Sequence, residues 1–191
     1  MPRRPDSRLE ERILNAAYKL WVDSGEHGLT MRAVAKAAGT TTPTLYERFR
    51  DKADLLAALR ARAQQKLLDA LKPARSIAEA CQLALDFSVE HGHEYELGAK
   101  DWAARLSRGE PTPSFDLIKE RLAEQLGGEP SDHFQLALAF AALYHGASTM
   151  LLTEGIDPKT AGAIKEACIA ATDALVQDAA RNAEYRRARV R

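Results

Sequence analysis

Apolar residues recur at helical spacing along most of the chain, and Gly, Pro and capping residues cut that pattern into segments. Leu9, Ile13, Ala16, Ala17, Leu20 and Trp21 predict a first helix over Leu9–Ser24, ended by Gly25 and Gly28. Thr30 is placed to cap a short helix, Met31–Ala38, because a threonine hydroxyl accepts from the unpaired N–H groups of a first turn. Gly39 suits the left-handed position after a helix, where a Cβ is penalised. Thr41 is the cap of a third helix, Thr42–Phe49, with Pro43 in the first turn, where its missing N–H costs no intrahelical bond. Asp51 caps a fourth helix that carries Leu55, Leu56, Leu59, Leu67 and Leu68 and is closed by Pro73.

The second part of the chain opens on Ser76-Ile77-Ala78-Glu79, the spacing of a capping box, and predicts a helix to His91. Helices are expected over His93–Leu106, Ser114–Leu126 and Ser131–Glu154, with Gly92, the Gly109–Pro113 loop and Gly127-Gly128 as breaks. Asp157-Pro158 starts a last helix, expected to reach Ala180 before an Arg-rich tail. No run of alternating β-branched and aromatic residues interrupts this, so the fold class is all-α. The expected organisation is a three-helix head with a flexible N-terminal arm over residues 1–52. A fourth helix joins it to a helical body over 53–180, and the basic tail follows over 181–191.

Composition narrows the function classes. With 46% hydrophobic and 28% charged residues the chain reads as a folded protein and not a membrane one. Met1–Arg8 is polar and basic with no apolar stretch behind it, which argues against a signal peptide and for a cytoplasmic protein. Phe134–Leu152 is mostly apolar, but it contains Gln135, His145, Ser148 and Thr149 and reads as a buried helix. Cys81 and Cys168 stand among helix formers and read as reduced core thiols. The formal net charge is zero, yet residues 1–62 hold 12 Lys+Arg against 8 Asp+Glu, and the remainder holds 15 against 19. A cationic front on an anionic body suits contact with a polyanion.

Two short helices joined by a tight turn need support from behind, which Ile13, Ala17 and Trp21 supply to Val34, Leu45 and Phe49. Ala35, Gly39 and Leu45 have helix-turn-helix spacing: a small residue where the helices touch, Gly in the turn, and an apolar anchor in the second helix. The run Gly28-Leu29-Thr30-Met31-Arg32-Ala33-Val34-Ala35-Lys36-Ala37-Ala38-Gly39, followed by Leu45-Tyr46-x-x-Phe49-x-x-Lys52-x-x-Leu55-Leu56, resembles the DNA-binding domain of the TetR family over about residues 9–60. Leu143-Tyr144-His145-Gly146 is similar to a His-Gly element of some of that family's C-terminal domains.

The resemblance implies a homodimeric transcriptional regulator, specifically a repressor released from a double-stranded DNA operator by a small-molecule ligand. Thr30, Thr41, Thr44, Tyr46, Arg48 and Lys52 are the expected phosphate-facing residues, through hydroxyls, positive charge and helix N-termini. Arg50 adds charge beside them. Thr42 and Pro43 lie where a methyl or ring face reaches thymine methyls, and Arg32 matches a position used on guanine O6 and N7. Glu47 departs from the neutral or basic residue usual there.

In the body, Phe87, Tyr95, Trp102, Phe115, Ile118, Leu122, Tyr144 and Met150 are the candidates to line a ligand cavity between helices. Residues 134–152 and 161–179 are expected to form the dimer as a four-helix bundle through Ala137, Phe140, Leu143, Ile164, Cys168, Ala171 and Leu175. The sequence carries no phosphate-binding loop, nucleophile elbow or paired-carboxylate motif, so neither an enzyme nor a cofactor is expected. The alternatives are a helical adaptor without DNA binding and a helical metal-dependent enzyme built on His91 and His93. Those two histidines stand two apart across Gly92 and miss the i, i+4 spacing of a helical zinc site.

Overall fold

The computed structural model describes the backbone of residues 7–189 and the side chains of residues 8–182. Residues 1–6, where the flexible N-terminal arm is expected to begin, lie outside the described residues. Among those described there are ten α-helices, one 3-10 turn and no strand. They are α1 (Ser7–Gly28), α2 (Met31–Ala37), α3 (Thr42–Tyr46), α4 (Lys52–Leu71), α5 (Ile77–Glu90), α6 (Gly92–Ala99), α7 (Trp102–Ser107), α8 (Pro113–Leu126), α9 (Phe134–Leu151) and α10 (Pro158–Arg189). The 3-10 turn is Pro130–His133. Two compact units result, Met1–Ala63 and Gln64–Arg191. The division falls inside α4 and not at its start, because Leu55, Leu56 and Leu59 are buried in the first unit.

Local chemistry sets the helix ends in the head. Thr30 Oγ1 accepts from Ala33 N at 3.2 Å, and Thr41 Oγ1 accepts from Thr44 N at 3.3 Å. Gly39 takes φ +64°, the left-handed turn its missing Cβ permits. Gly25, at φ +62° and ψ −163°, breaks α1 without ending it, and a further turn runs on to Gly28. At α4, Asp54 N donates to Asp51 Oδ1 at 2.8 Å, while Asp54 Oδ2 accepts from Arg50 N at 3.0 Å. The same device recurs at α5: Glu79 N donates to Ser76 Oγ at 3.1 Å, and Glu79 Oε2 accepts from Arg75 N at 2.7 Å. The box predicted at Ser76 therefore closes one residue further upstream than its usual form.

Five-residue α3 is far below the length at which a helix is stable by itself. Leu45, fully buried, and Phe49 just beyond the helix hold it against the core of Ile13, Ala17, Leu29 and Val34. In the second unit α10 packs on α5 and α9, and α5 on α9. Leu85, Leu122, Ala137, Phe140, Tyr144, Cys168 and Val176 form the middle of that core.

Several expected boundaries shift. The helix predicted over His93–Leu106 is two, α6 and α7, separated at Asp101, which adopts φ +60°. A left-handed residue with a Cβ cannot continue a helix and costs on the order of 1 kcal/mol. The first turn of the predicted Ser131–Glu154 helix is the 3-10 turn, and α10 extends to Arg189, beyond Ala180. Pro130–Leu151 is long and apolar enough to cross a membrane, but Ala137, Phe140, Ala141 and Tyr144 along it are buried in the core of the second unit.

The dimer residues expected from the sequence need correction. Ala137, Phe140 and Cys168 are buried within their own chain, because they sit where α9 and α10 meet each other and α5. The open apolar face is one helical step away. It carries Phe134, Leu138, Ala142, Gly146 and Met150 on α9, and Ala163, Ala167, Ala170, Ala174 and Leu175 on α10.

Candidate nucleic-acid interface and the aromatic cluster of the body

The residues nominated for DNA contact gather on α2, α3 and the loops that cap them, all within the first unit. Thr30, Arg32, Thr41, Pro43 and Tyr46 are exposed, while Thr42, Thr44 and Arg48 are partly covered. Tyr46 is an aromatic side chain 51% exposed, which core packing does not account for. Thr41 and Thr44 place their hydroxyls 2.9 Å apart at the start of α3, beside the first-turn N–H groups. Thr30 and Thr41 are thus caps, and each hydroxyl keeps a free lone pair or its proton for a further partner.

Lys52 is placed differently from the sequence expectation. Its Nζ donates to the backbone carbonyl of Glu26, tying the start of α4 to the last turn of α1. An ammonium has three donors, so this bond leaves others for a phosphate, but it gives Lys52 a second task in holding the head together. Arg62 reinforces the same pair of helices by donating from Nη1 to Asn15 Oδ1 at 2.6 Å. Arg50 is 88% exposed with its Nε 3.8 Å from Asp54, a weak surface pair that leaves the guanidinium available. Glu47 is the C-cap of α3 and so stands at the end of that helix opposite Thr42 and Pro43.

The body brings together most, but not all, of the nominated cavity residues. Tyr95, Tyr144, Trp102 and Phe115 form one aromatic cluster completed by His145, which was absent from the nominated set. Tyr95 lies edge-on to Tyr144 at 5.7 Å, Trp102 edge-on to Phe115 at 5.5 Å, and the His145 ring lies 5.0 Å from Tyr144 and 5.3 Å from Trp102. Tyr95 Oη meets both His145 Nδ1 and the His145 carbonyl at 3.2 Å. Ile118 and Leu122 lie in the surrounding core. Burial pushes both tyrosine hydroxyls up and lowers the His145 imidazole, so all three groups are neutral at pH 7.

Phe87 is buried elsewhere on α5, its ring 5.0 Å from His91. Met150 is 55% exposed on the open face of α9 and takes no part in the cluster. A small, water-sized cavity is lined by Ile77, Leu122, Leu136, Phe140, Thr172, Leu175 and Val176 and so includes only Leu122 of the nominated residues. Sequence reasoning also missed Ser148, fully buried one turn after Tyr144. A serine at i+4 from a tyrosine in an otherwise apolar helix was the available signal. His93 lies 3.9 Å from Glu96, and among the described residues no group of three or more His, Cys, Asp or Glu is placed to hold a metal.

A short helix pair that exposes its polar face, backed by the buried side of α1, has the arrangement of a helix-turn-helix. Comparison with known proteins agrees with that arrangement. Residues 13–59 match the model of the bacterial regulatory proteins of the tetR family. The chain is 31% identical over 132 residues to the HTH-type transcriptional repressor KstR2 of Mycolicibacterium smegmatis, across 65% of this chain and 62% of that protein. It thus spans somewhat under two thirds of that curated relative. The fold is shared with the transcriptional regulator SCO7222, a TetR from Streptomyces coelicolor, at TM-score 0.64 and 22% identity over 89% of this chain and 96% of the other. It is shared as well with the multidrug binding protein EbrR, in a structure complexed with imidazole, at TM-score 0.66 and 21% identity over 92% and 93%. Residues 13–59 thus carry the N-terminal DNA-binding domain of the bacterial regulatory proteins of the tetR family.

Proposed function

We propose that the protein is a homodimeric repressor that binds an operator through α2 and α3 and leaves it when a small molecule occupies the body. The observation that carries the DNA half is the exposure of Thr30, Arg32, Thr41, Pro43 and Tyr46 on α2, α3 and their caps, backed by a packed core. Thr42 and Pro43 at the start of α3 and Arg32 on α2 are the base readers; Thr30, Thr44, Tyr46, Arg48 and Lys52 position the head on phosphates. Two heads on one duplex contact successive major grooves roughly 34–36 Å apart.

The dimer forms through the open face of α9 and α10. Ala163, Ala167, Ala170 and Ala174 recur along one side of α10, and Gly146 and Gly162 have open space where a Cβ would stand. Two such helices from each chain make an isologous four-helix bundle.

Ligand release acts through head separation, with α4 as the helix that continues from the first unit into the second. Linkage requires the operator to weaken ligand binding by the factor with which the ligand weakens operator binding, about 5–150-fold for a coupling of 1–3 kcal/mol. The work of such a protein is in the cytoplasm, with the chromosome. Similarity to a transcriptional repressor supports the DNA half, and a shared fold with a multidrug binding protein supports the ligand half. A gel shift on the DNA upstream of the protein's own gene tests the reading. Sequence-selective, salt-sensitive binding is expected, and a folded dimer that prefers no fragment would refute it.

A further inference from the structure

Two hydroxyls in the middle of the body have no hydrogen-bond partner. Tyr144 Oη and Ser148 Oγ are both buried, in residues 5% and 0% exposed, and stand one turn apart on α9. Ser148 stands near the hydroxyls of both Tyr95 and Tyr144. Buried polar groups are rarely left so, since each forfeits its bonds to water. The rings of Tyr95, Trp102, Phe115 and His145 stand beside them.

The cover over this cluster is a short helix. Trp102 is the first residue of α7, none of whose six residues is fully buried, although Trp102 and Leu106 pack against the core. α7 is bounded by Asp101 at φ +60° and Gly109 at φ +69°. A helix with so little buried surface opens at low cost, and local opening of this kind is how a closed cluster admits a guest. Buried Glu94, beside Tyr95 on α6, is paired with Lys66, and Arg105 of α7 donates from Nε to Glu110 at 3.0 Å, while its Nη1 is buried without a partner. The site thus has aromatic faces and two idle hydroxyls one turn apart.

From this geometry we infer that the body's ligand is a flat, mostly apolar molecule carrying a hydroxyl. Its oxygen accepts from Tyr144 Oη and its proton goes to Ser148 Oγ, while α7 moves aside and recloses with Trp102 against the ring. This rests on the regulatory reading above and names the chemistry of its ligand.

The test is calorimetric titration of the full chain with 2-naphthol, naphthalene and 2-naphthoate, which share an outline and carry a hydroxyl, no polar group and a carboxylate. 2-Naphthol should bind at least roughly three- to tenfold more tightly than naphthalene, the net effect of one neutral hydrogen bond of the two it can make, and more tightly than 2-naphthoate, whose carboxylate has no proton to give Ser148. Tyr144→Phe and Ser148→Ala should each lower the preference for 2-naphthol while leaving the melting temperature unchanged or raised, because deleting an idle buried hydroxyl strands no partner. Equal affinity for 2-naphthol and naphthalene, binding of 2-naphthoate at least as tight, no binding of 2-naphthol, or a lower melting temperature in both variants would overturn the inference. Gel shifts on the same preparation separate the two readings. Selective DNA binding without a 2-naphthol preference removes only the ligand chemistry; a 2-naphthol preference without DNA binding removes only the repressor.

Discussion

Head and body use hydroxyl groups in opposite ways. In the head, Thr30 and Thr41 lie at the surface and each is bonded to an N–H three residues on, so one side chain both ends a helix and faces solvent. In the body, Tyr144 and Ser148 lie inside the core with no such neighbour. A surface polar group costs the fold little and is free to meet a large external partner such as phosphate. An unbonded buried one weakens the fold, and a complementary guest would recover that loss. On the proposed reading, recognition in the head is preformed and outward, whereas in the body it is enclosed.

That contrast can be broken in order of expected effect. Leu45→Ala removes the fully buried anchor of a five-residue helix and should destabilise the head by about 2–5 kcal/mol. DNA binding should vanish while near-ultraviolet circular dichroism of the aromatic body persists; loss of both signals together would show that the two units do not fold independently. Leu175→Glu, on the open face of α10, should yield a folded monomer in sedimentation, and an unchanged dimer would refute the placement of the interface. Arg32→Ala should cost about 1–3 kcal/mol in operator affinity and relax preference at one base pair per half-site, read by competition among operator variants. Thr41→Ala should lower stability by about 1 kcal/mol in denaturant unfolding, the usual cost of a lost cap.

The smallest effect is a pH dependence in the body. Burial lowers the His145 pKa below its ordinary 6.5, so the unfolded chain takes up the proton first. The stability that neutral His145 contributes is complete above about pH 6.5 and is lost as pH falls below it. Thermal melts from pH 7.5 to 5.5 should show this decline, and His145→Gln should flatten it.

Legibility followed the same division. The head's caps, the turn at Gly39 and the anchors Leu45 and Phe49 are set by residues three to four apart, and local spacing is what a single sequence displays. The body's details depend on which helices meet. Ala137, Phe140 and Cys168 have the same helical spacing as a dimer seam, and only the packing of α9 and α10 on α5 turns them inward. The break at Asp101 was hidden because Asp is no obligate helix stop, and its left-handed backbone is imposed by the surrounding structure. His145 and Ser148 were visible as polar residues in an apolar run, but their role depends on what α6 and α7 place opposite them.

The claim that the α2–α3 face binds DNA is tested most directly by fluorescence anisotropy on an operator selected by the protein itself from random duplexes, at several salt concentrations. The wild-type chain should enrich a two-fold symmetric sequence, with affinity falling steeply as salt rises. Tyr46→Phe should weaken binding to every sequence, Lys52→Ala should lower the salt slope by about one ion, and Tyr144→Phe should leave both unchanged. Selection that enriches no sequence from a folded dimer, or operator affinity indifferent to Arg32→Ala, Tyr46→Phe and Lys52→Ala alike, would contradict the account.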